Sequence, residues 1–338
     1  MRNVFMFAGQ GAQYFQMGRA LFERNRVFHD CMLDIDASVR RLSGESVVNA
    51  LYGSERGKGE VFDRISLTHP AIFMVEYAMA RALISAGVIP DCLLGVSLGT
   101  VTAATVAGCL DEESALETVM EHASAVETAC QRGGMLTILG PVALLKEKFL
   151  QDNCDVAAVN SPEHFVVSAL EVQCLEIERN LMARRIVFVR LPVCYAFHSR
   201  WIEPARARFE ASTSQIRYKP ASVPVICCQR AAMLSELPYG YFWKVTREPI
   251  RFRESMEVVA AGGANCYIDV GPAGNLAVLL KYLLPAEAKS AIHAVMTPYG
   301  RDMENFSAVT ARTRERHPER ETWPSISSEL QIEGQKNF

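Results

Sequence analysis

A serine set between two glycines, Gly95-Val96-Ser97-Leu98-Gly99, follows the apolar pair Leu93-Leu94 and opens a segment rich in alanine and valine. A serine hydroxyl is a weak nucleophile until a base takes its proton, and this setting of strand, sharp turn and helix reads as a nucleophile elbow. The turn lifts the hydroxyl out of the sheet, and the flanking glycines keep side chains from blocking the approach. The first amides of the next helix point at a developing oxyanion, with that of Leu98 nearest. Glycine and serine are common enough for the pattern to arise by chance, so its strand-before, helix-after context carries the weight. A second polar candidate is Gln10, in the turn Gly9-Gln10-Gly11-Ala12-Gln13 after an apolar run from Val4 to Ala8. That turn lacks the Lys and Ser/Thr of a phosphate-binding loop. It reads either as an ordinary tight turn or as a support for the Gln10 amide near an acyl oxygen.

The rest of the chain must supply the elements that hold these groups. With 338 residues it is long enough to bury a substantial core, as one large domain or two modest ones. A hydrophobic share of 49% against 22% charged residues excludes a largely disordered protein, and no apolar run approaches the ~20 residues that span a bilayer. A soluble protein without a membrane partner is expected. Met1 to Ala8 is too short for a secretory signal and runs directly into a first core strand. The ten cysteines show neither metal-ligand spacing nor a disulfide framework, so reduced thiols and a cytoplasmic setting are expected. A net charge of −3 gives no reason to expect nucleic acid as a partner.

In chain order, the spacing predicts a helix over 17–24 and a helix from Thr68 to about Ala86 with Pro70 in its first turn. The helix after Ser97 should end near Ala107, where Gly108 stops it, and another should start at Asp111 and run towards Cys130. From Met135 the pattern changes to strand (135–139), helix (142–149), strand (156–160), strand (165–168), helix (170–183) and strand (186–191). That βαββαβ order is the ferredoxin-like unit. A helix over 203–212, strands over 223–228 and 264–270, and a helix over 276–284 follow. After Asp302 the chain becomes strongly charged and polar, and a mobile tail is expected there.

Taken together, these segments resemble the malonyl-CoA:acyl carrier protein transacylase family, the acyltransferases of fatty acid and polyketide synthesis. The resemblance covers residues 3–300. It rests on Phe7-Ala8-Gly9-Gln10-Gly11-Ala12-Gln13, Pro70-Ala71-Ile72-Phe73, the Ser97 elbow, Asn160-Ser161-Pro162, Tyr195-Ala196-Phe197-His198-Ser199 and Asp269-Val270-Gly271-Pro272, in the family's order. It implies an α/β fold: an α/β-hydrolase-like body (1–132 and 193–302) interrupted by a ferredoxin-like subdomain (133–192), with the charged tail at 303–338. It also implies that Ser97 is the nucleophile and His198 its general base, oriented by a main-chain carbonyl rather than a carboxylate. An imidazole with a pKa near ~6.5 is what a serine needs at neutral pH. Gln10 and the Leu98 amide match the family's oxyanion hole, and no metal or cofactor is expected beyond the phosphopantetheine arm that carries the substrate.

Departures from the family bear on the substrate. Members that load malonyl groups place an arginine where this chain has His122. A guanidinium pairs bidentately with the malonyl carboxylate and is always charged, whereas burial lowers a histidine's pKa and leaves it neutral. Arg132 lies ten residues further on and could return to the site only through a bend at Gly133. The glutamine usual before the Pro-Ala helix is His69, and the histidine usual before the nucleophile is Val96. Phe197 is the type that malonyl-specific members carry, so the specificity signals conflict. This combination is most similar to the stand-alone acyltransferase homologues of trans-acyltransferase polyketide synthases, which act as acyl hydrolases. The expected activity is therefore hydrolysis of acyl groups from acyl carrier protein, with loading of carrier proteins by malonyl or acyl transfer as the alternative. His69, His122, Asn160 and Phe197 are the expected substrate-binding residues. Acyl carrier protein, the polyketide synthase complex and acyl-CoA are the expected partners.

Overall fold

The structure is a computed structural model and describes residues 1–53, 55–285 and 288–316. Its ten strands are β1 (Arg2–Phe7), β2 (Cys92–Gly95), β3 (Gly133–Leu139), β4 (Asp155–Ser161), β5 (His164–Leu170), β6 (Val187–Arg190), β7 (Val225–Cys227), β8 (Ala232–Leu234), β9 (Asn265–Asp269) and β10 (Ala291–Ala294). The run Val4-Phe5-Met6-Phe7 in β1 is wholly buried, with Phe5 and Phe7 in the core on one face and Val4 and Met6 in the core on the other. A strand covered on both faces has no polar side, so the sequence does not alternate. Its sheet runs β10-β9-β1-β2-β7-β8, parallel except for the β7–β8 pair. The parallel arrangement brings the C-terminal ends of β1, β2 and β9 to one edge. There the turns Gly9–Gln13, Gly95–Gly99 and Gly271–Gly274 gather, where α/β sheets bind their ligands.

The second sheet is antiparallel, ordered β4-β5-β3-β6, which is the ferredoxin-like order, and has its own core around Leu136, Phe165, Val167 and Ile177. The helix expected over 142–149 is instead a 3₁₀ turn (Val142–Lys146) and a single α turn (Lys148–Gln151), separated by an extended Glu147. Val142, Leu144 and Leu145 all reach the small core, and a straight α-helix would spread them round its circumference.

Two further expectations are corrected. The helix around Pro70 begins at Ile65, so Pro70 lies inside it. Proline has no N–H for the Ser66 carbonyl, and near-complete burial of that helix offsets the missing bond. The chain also does not leave the body at residue 303: Asp302–Arg316 is a helix whose Phe306 and Val309 are buried. The Asp302 carboxylate accepts from the Thr297 amide just before it. Residues 317–338 of the expected tail lie outside the described residues. Among the described residues no helix is long and apolar enough to cross a membrane.

Candidate active site

Ser97 follows β2 with φ 54°, in the left-handed region that side chains seldom occupy. The neighbouring glycines make that turn possible by close approach. A Cβ on Gly99 would lie 2.4 Å from the carbonyl oxygens of both Phe7 and Ala8, and one on Gly9 would lie 2.8 Å from the Ser97 Cβ. The helix Gly99–Val106 can therefore start hard against the end of β1. The amide of Leu98, unlike those of Gly99, Thr100 and Val101, is not occupied by a turn carbonyl.

The Ser97 Oγ lies 2.8 Å from His198 Nε2, and His198 Nδ1 lies 2.8 Å from the Glu248 carbonyl oxygen. A carbonyl only accepts, so Nδ1 carries the ring proton and donates it to Glu248. In the neutral ring Nε2 is then the acceptor for the Ser97 hydroxyl, the tautomer a general base requires. Burial pushes the His198 pKa down to about 4, against a smaller upward effect of the Glu248 carbonyl. His198 also adopts a left-handed φ of 59°. It is held by its amide on the Thr246 carbonyl, while the Ser168 hydroxyl of β5 donates to the carbonyl of Phe197. The small sheet thus fixes the histidine's backbone, and the chain around Glu248 fixes its ring.

Next to this pair, His69 and His122 are joined directly, Nε2 to Nδ1, at 3.2 Å. Both are buried. Burial drives His69 well below the usual imidazole range, helped by His122, and takes His122 to about 4, helped by its nearness to the His198 ring. Phe197 packs against both rings, and Phe209 and Trp243 close over His122. His69, His122 and Phe197 therefore form one cluster beside His198. Among the described residues, no guanidinium or ammonium contributes to the shifts of these three histidines.

Gln10 is tied into the same region through its Nε2, which donates to Thr68 Oγ1 at 2.7 Å, while its Oε1 is buried without a partner. Asn160 lies in the β4–β5 hairpin, where its Nδ2 faces His164 at 3.4 Å. Arg132 does not return to the cluster: the preceding helix ends at Ala129, and its guanidinium is exposed beside Asp63 at 3.7 Å.

Two buried acids behind the Gly9 turn were not apparent from the sequence. Glu76 accepts from the Ala8 amide at 2.6 Å, and Asp269 from the amides of Gly271 and Ala277, both at 2.9 Å. Burial holds Glu76 well above the usual carboxyl range, with Asp269 adding to the rise, and lifts Asp269 to about 7 against the pull of its amide donors. They brace the exits of β1 and β9. Thr68 and the Glu248 carbonyl were also missed; a backbone acceptor leaves no mark in residue type.

Comparison with known proteins agrees with this arrangement. The family model described as acyl transferase domain matches residues 4–319. The polyketide biosynthesis acyltransferase homolog BaeD of Bacillus velezensis is 38% identical, covering 90% of this chain and 95% of BaeD. Its counterpart PksD of Bacillus subtilis is 36% identical, covering 93% and 97%. Among solved structures, a loading acyltransferase from the avermectin modular polyketide synthase superposes with a TM-score of 0.83 at 25% identity, covering 92% of this chain and 99% of that one. MCAT of Streptococcus pneumoniae shares the fold, with a TM-score of 0.75 at 23% identity over 92% of this chain and 100% of that one. A nucleophile elbow on a parallel sheet, a ferredoxin-like second sheet and a match over nearly the whole described chain lead to one conclusion: this chain belongs to the acyl transferase domain family.

Proposed function

We propose that the protein is an acyl-[acyl carrier protein] hydrolase of polyketide biosynthesis that removes stalled, uncharged acyl groups through an acyl-Ser97 intermediate. The observation that carries this reading is the neutral imidazole pair, His69 and His122, buried beside Ser97 and His198. A malonyl thioester would bring a carboxylate into these surroundings. Moving an unpaired carboxylate out of water costs several kcal/mol, whereas an acetyl group carries no such charge. The names of BaeD and PksD, which are covered almost end to end, support the polyketide pathway. All ten cysteines are free, which supports a reducing, cytoplasmic setting.

In this mechanism the Ser97 Oγ attacks the thioester carbonyl carbon while His198 Nε2 takes the hydroxyl proton. The Leu98 amide and Gln10 donate to the oxyanion, and the Glu248 carbonyl steadies the imidazolium through Nδ1–H. The C–S bond breaks, His198 returns the proton to the phosphopantetheine sulfur, and the acyl group remains on Ser97. A water then gives a proton to Nε2 and attacks the ester. The C–O bond to Ser97 breaks, and His198 reprotonates the serine as the acid leaves.

A second reading, transfer of the acyl group to another carrier protein, is favoured by the word acyltransferase in the relatives' names. It differs only in whether thiol or water takes the acyl group. The test mixes acetyl-loaded carrier protein with an unloaded, distinguishable second carrier and follows both by intact mass. Hydrolysis yields free holo-carrier with no acyl gain on the second; appearance of acyl on the second carrier contradicts the proposal.

A further inference from the structure

Seven buried side-chain nitrogen or oxygen atoms among the described residues have no hydrogen-bond partner. Native interiors leave few such atoms, so their distribution is informative. Three of them, His69 Nδ1, His122 Nε2 and Trp243 Nε1, belong to one aromatic cluster, and a fourth, Gln10 Oε1, belongs to the side chain bonded to Thr68, the neighbour of His69. The cluster abuts Phe197, the residue before His198. Four of these seven atoms among the described residues thus lie in or next to the aromatic cluster that abuts the catalytic histidine.

Each neutral imidazole carries one N–H, and one N–H is used in the 3.2 Å contact between the rings. Whichever ring donates, the pair is left with one free N–H at one end and one free lone pair at the other. If His122 donates, His69 Nδ1 carries the free proton; if His69 donates, His122 Nε2 does. Trp243 adds a donor. A methyl terminus would leave all of these unmet, and a carboxylate would accept from the donors but bring a charge with no cation to balance it. A hydroxyl, which both donates and accepts, can pair with the free atom at whichever end it reaches, in either arrangement.

We infer that the His69–His122 pair, with Trp243, is a specificity subsite that reads a hydroxyl on the acyl chain, so that hydroxyacyl thioesters are preferred over both plain alkyl and carboxylated ones. This rests on acylation of Ser97, part of the proposed function, and narrows the substrate class to chains with a neutral polar substituent. A buried site built around hydrogen bonds penalises the analogue that lacks the matching group.

The test measures the rate of Ser97 acylation by intact mass with pantetheine thioesters of butyrate, 3-hydroxybutyrate and malonate. Acylation is scored before water or a second thiol can intervene, so the result does not depend on how the acyl-enzyme is resolved. The expected result is a 3-hydroxybutyryl rate about tenfold above butyryl, with malonyl slowest. In His122→Phe and in His69→Phe the hydroxybutyryl-to-butyryl ratio falls to near one. Equal rates with the two uncharged thioesters in the wild-type protein, or an undiminished ratio in a folded variant, overturn the subsite. Absence of any Ser97 adduct with all three thioesters overturns the proposed function instead.

Discussion

His198 is buried with Nδ1 bonded to a carbonyl and Nε2 facing the Ser97 hydroxyl. With its pKa lowered to about 4, the ring is neutral above that value and loses its basic form as pH falls through it. The acid limb of kcat/KM should therefore lie near 4, and activity should be level between about pH 5 and 7 rather than falling through the ordinary histidine range near ~6.5. A pH–rate profile with an uncharged acyl thioester checks this, and a limb near 6.5 would contradict it. His122→Arg is expected to raise malonyl acylation of Ser97 while lowering the melting temperature, because without substrate a buried guanidinium has no partner. Single-turnover acylation and thermal unfolding of the same variant separate the two effects.

At the scale of elements, the elbow depends on the end of β1 touching the start of the helix Gly99–Val106. Gly99→Ala would place a methyl group 2.4 Å from two carbonyl oxygens, so either the helix or β1 must move. Expected are near-complete loss of Ser97 acylation and a destabilisation of about 1–3 kcal/mol or more, measured by mass and by urea unfolding. Glu76 braces the same strand by accepting from the Ala8 amide. Because burial keeps its carboxyl protonated, Glu76→Gln should retain both fold and activity. Glu76→Ala should cost ~1–3 kcal/mol by leaving that amide without a partner.

These elements also show what could be read from the chain. The Ser97 elbow and the βαββαβ order were legible because local features carry them: apolar runs, glycines at turns and a change of period. The helix Asp302–Arg316 was not, since Phe306 and Val309 are its buried apolar anchors within a strongly charged segment. His69 and His122 were each legible as substitutions but not as a bonded pair, because nothing local joins residues 53 positions apart. Glu248 acts through its backbone, which any residue supplies. Asn160, expected with the substrate-binding residues, meets His164 across the β4–β5 hairpin, a contact that its spacing alone did not announce.

For the whole molecule, Glu76 and Asp269 bind protons in the folded state that they release on unfolding near neutral pH. Both folded pKa values are raised, Asp269 to about 7. Their contribution is present in full below the ordinary carboxyl range near ~4 and is lost as pH rises through about 7. Urea unfolding between pH 5 and 8 should show wild-type stability falling relative to Glu76→Gln, which has one fewer of these protons to lose. A constant difference between the two proteins would contradict the assignment.

Selection against a charged acyl group by neutral surroundings of Ser97 can be read from a competition. Acetyl-loaded and malonyl-loaded carrier proteins are mixed in equal amounts with the enzyme, and the holo-carrier released from each is followed by intact mass. Acetyl is expected to be cleared while malonyl persists; clearance of malonyl at an equal or greater rate would rule out selection by charge.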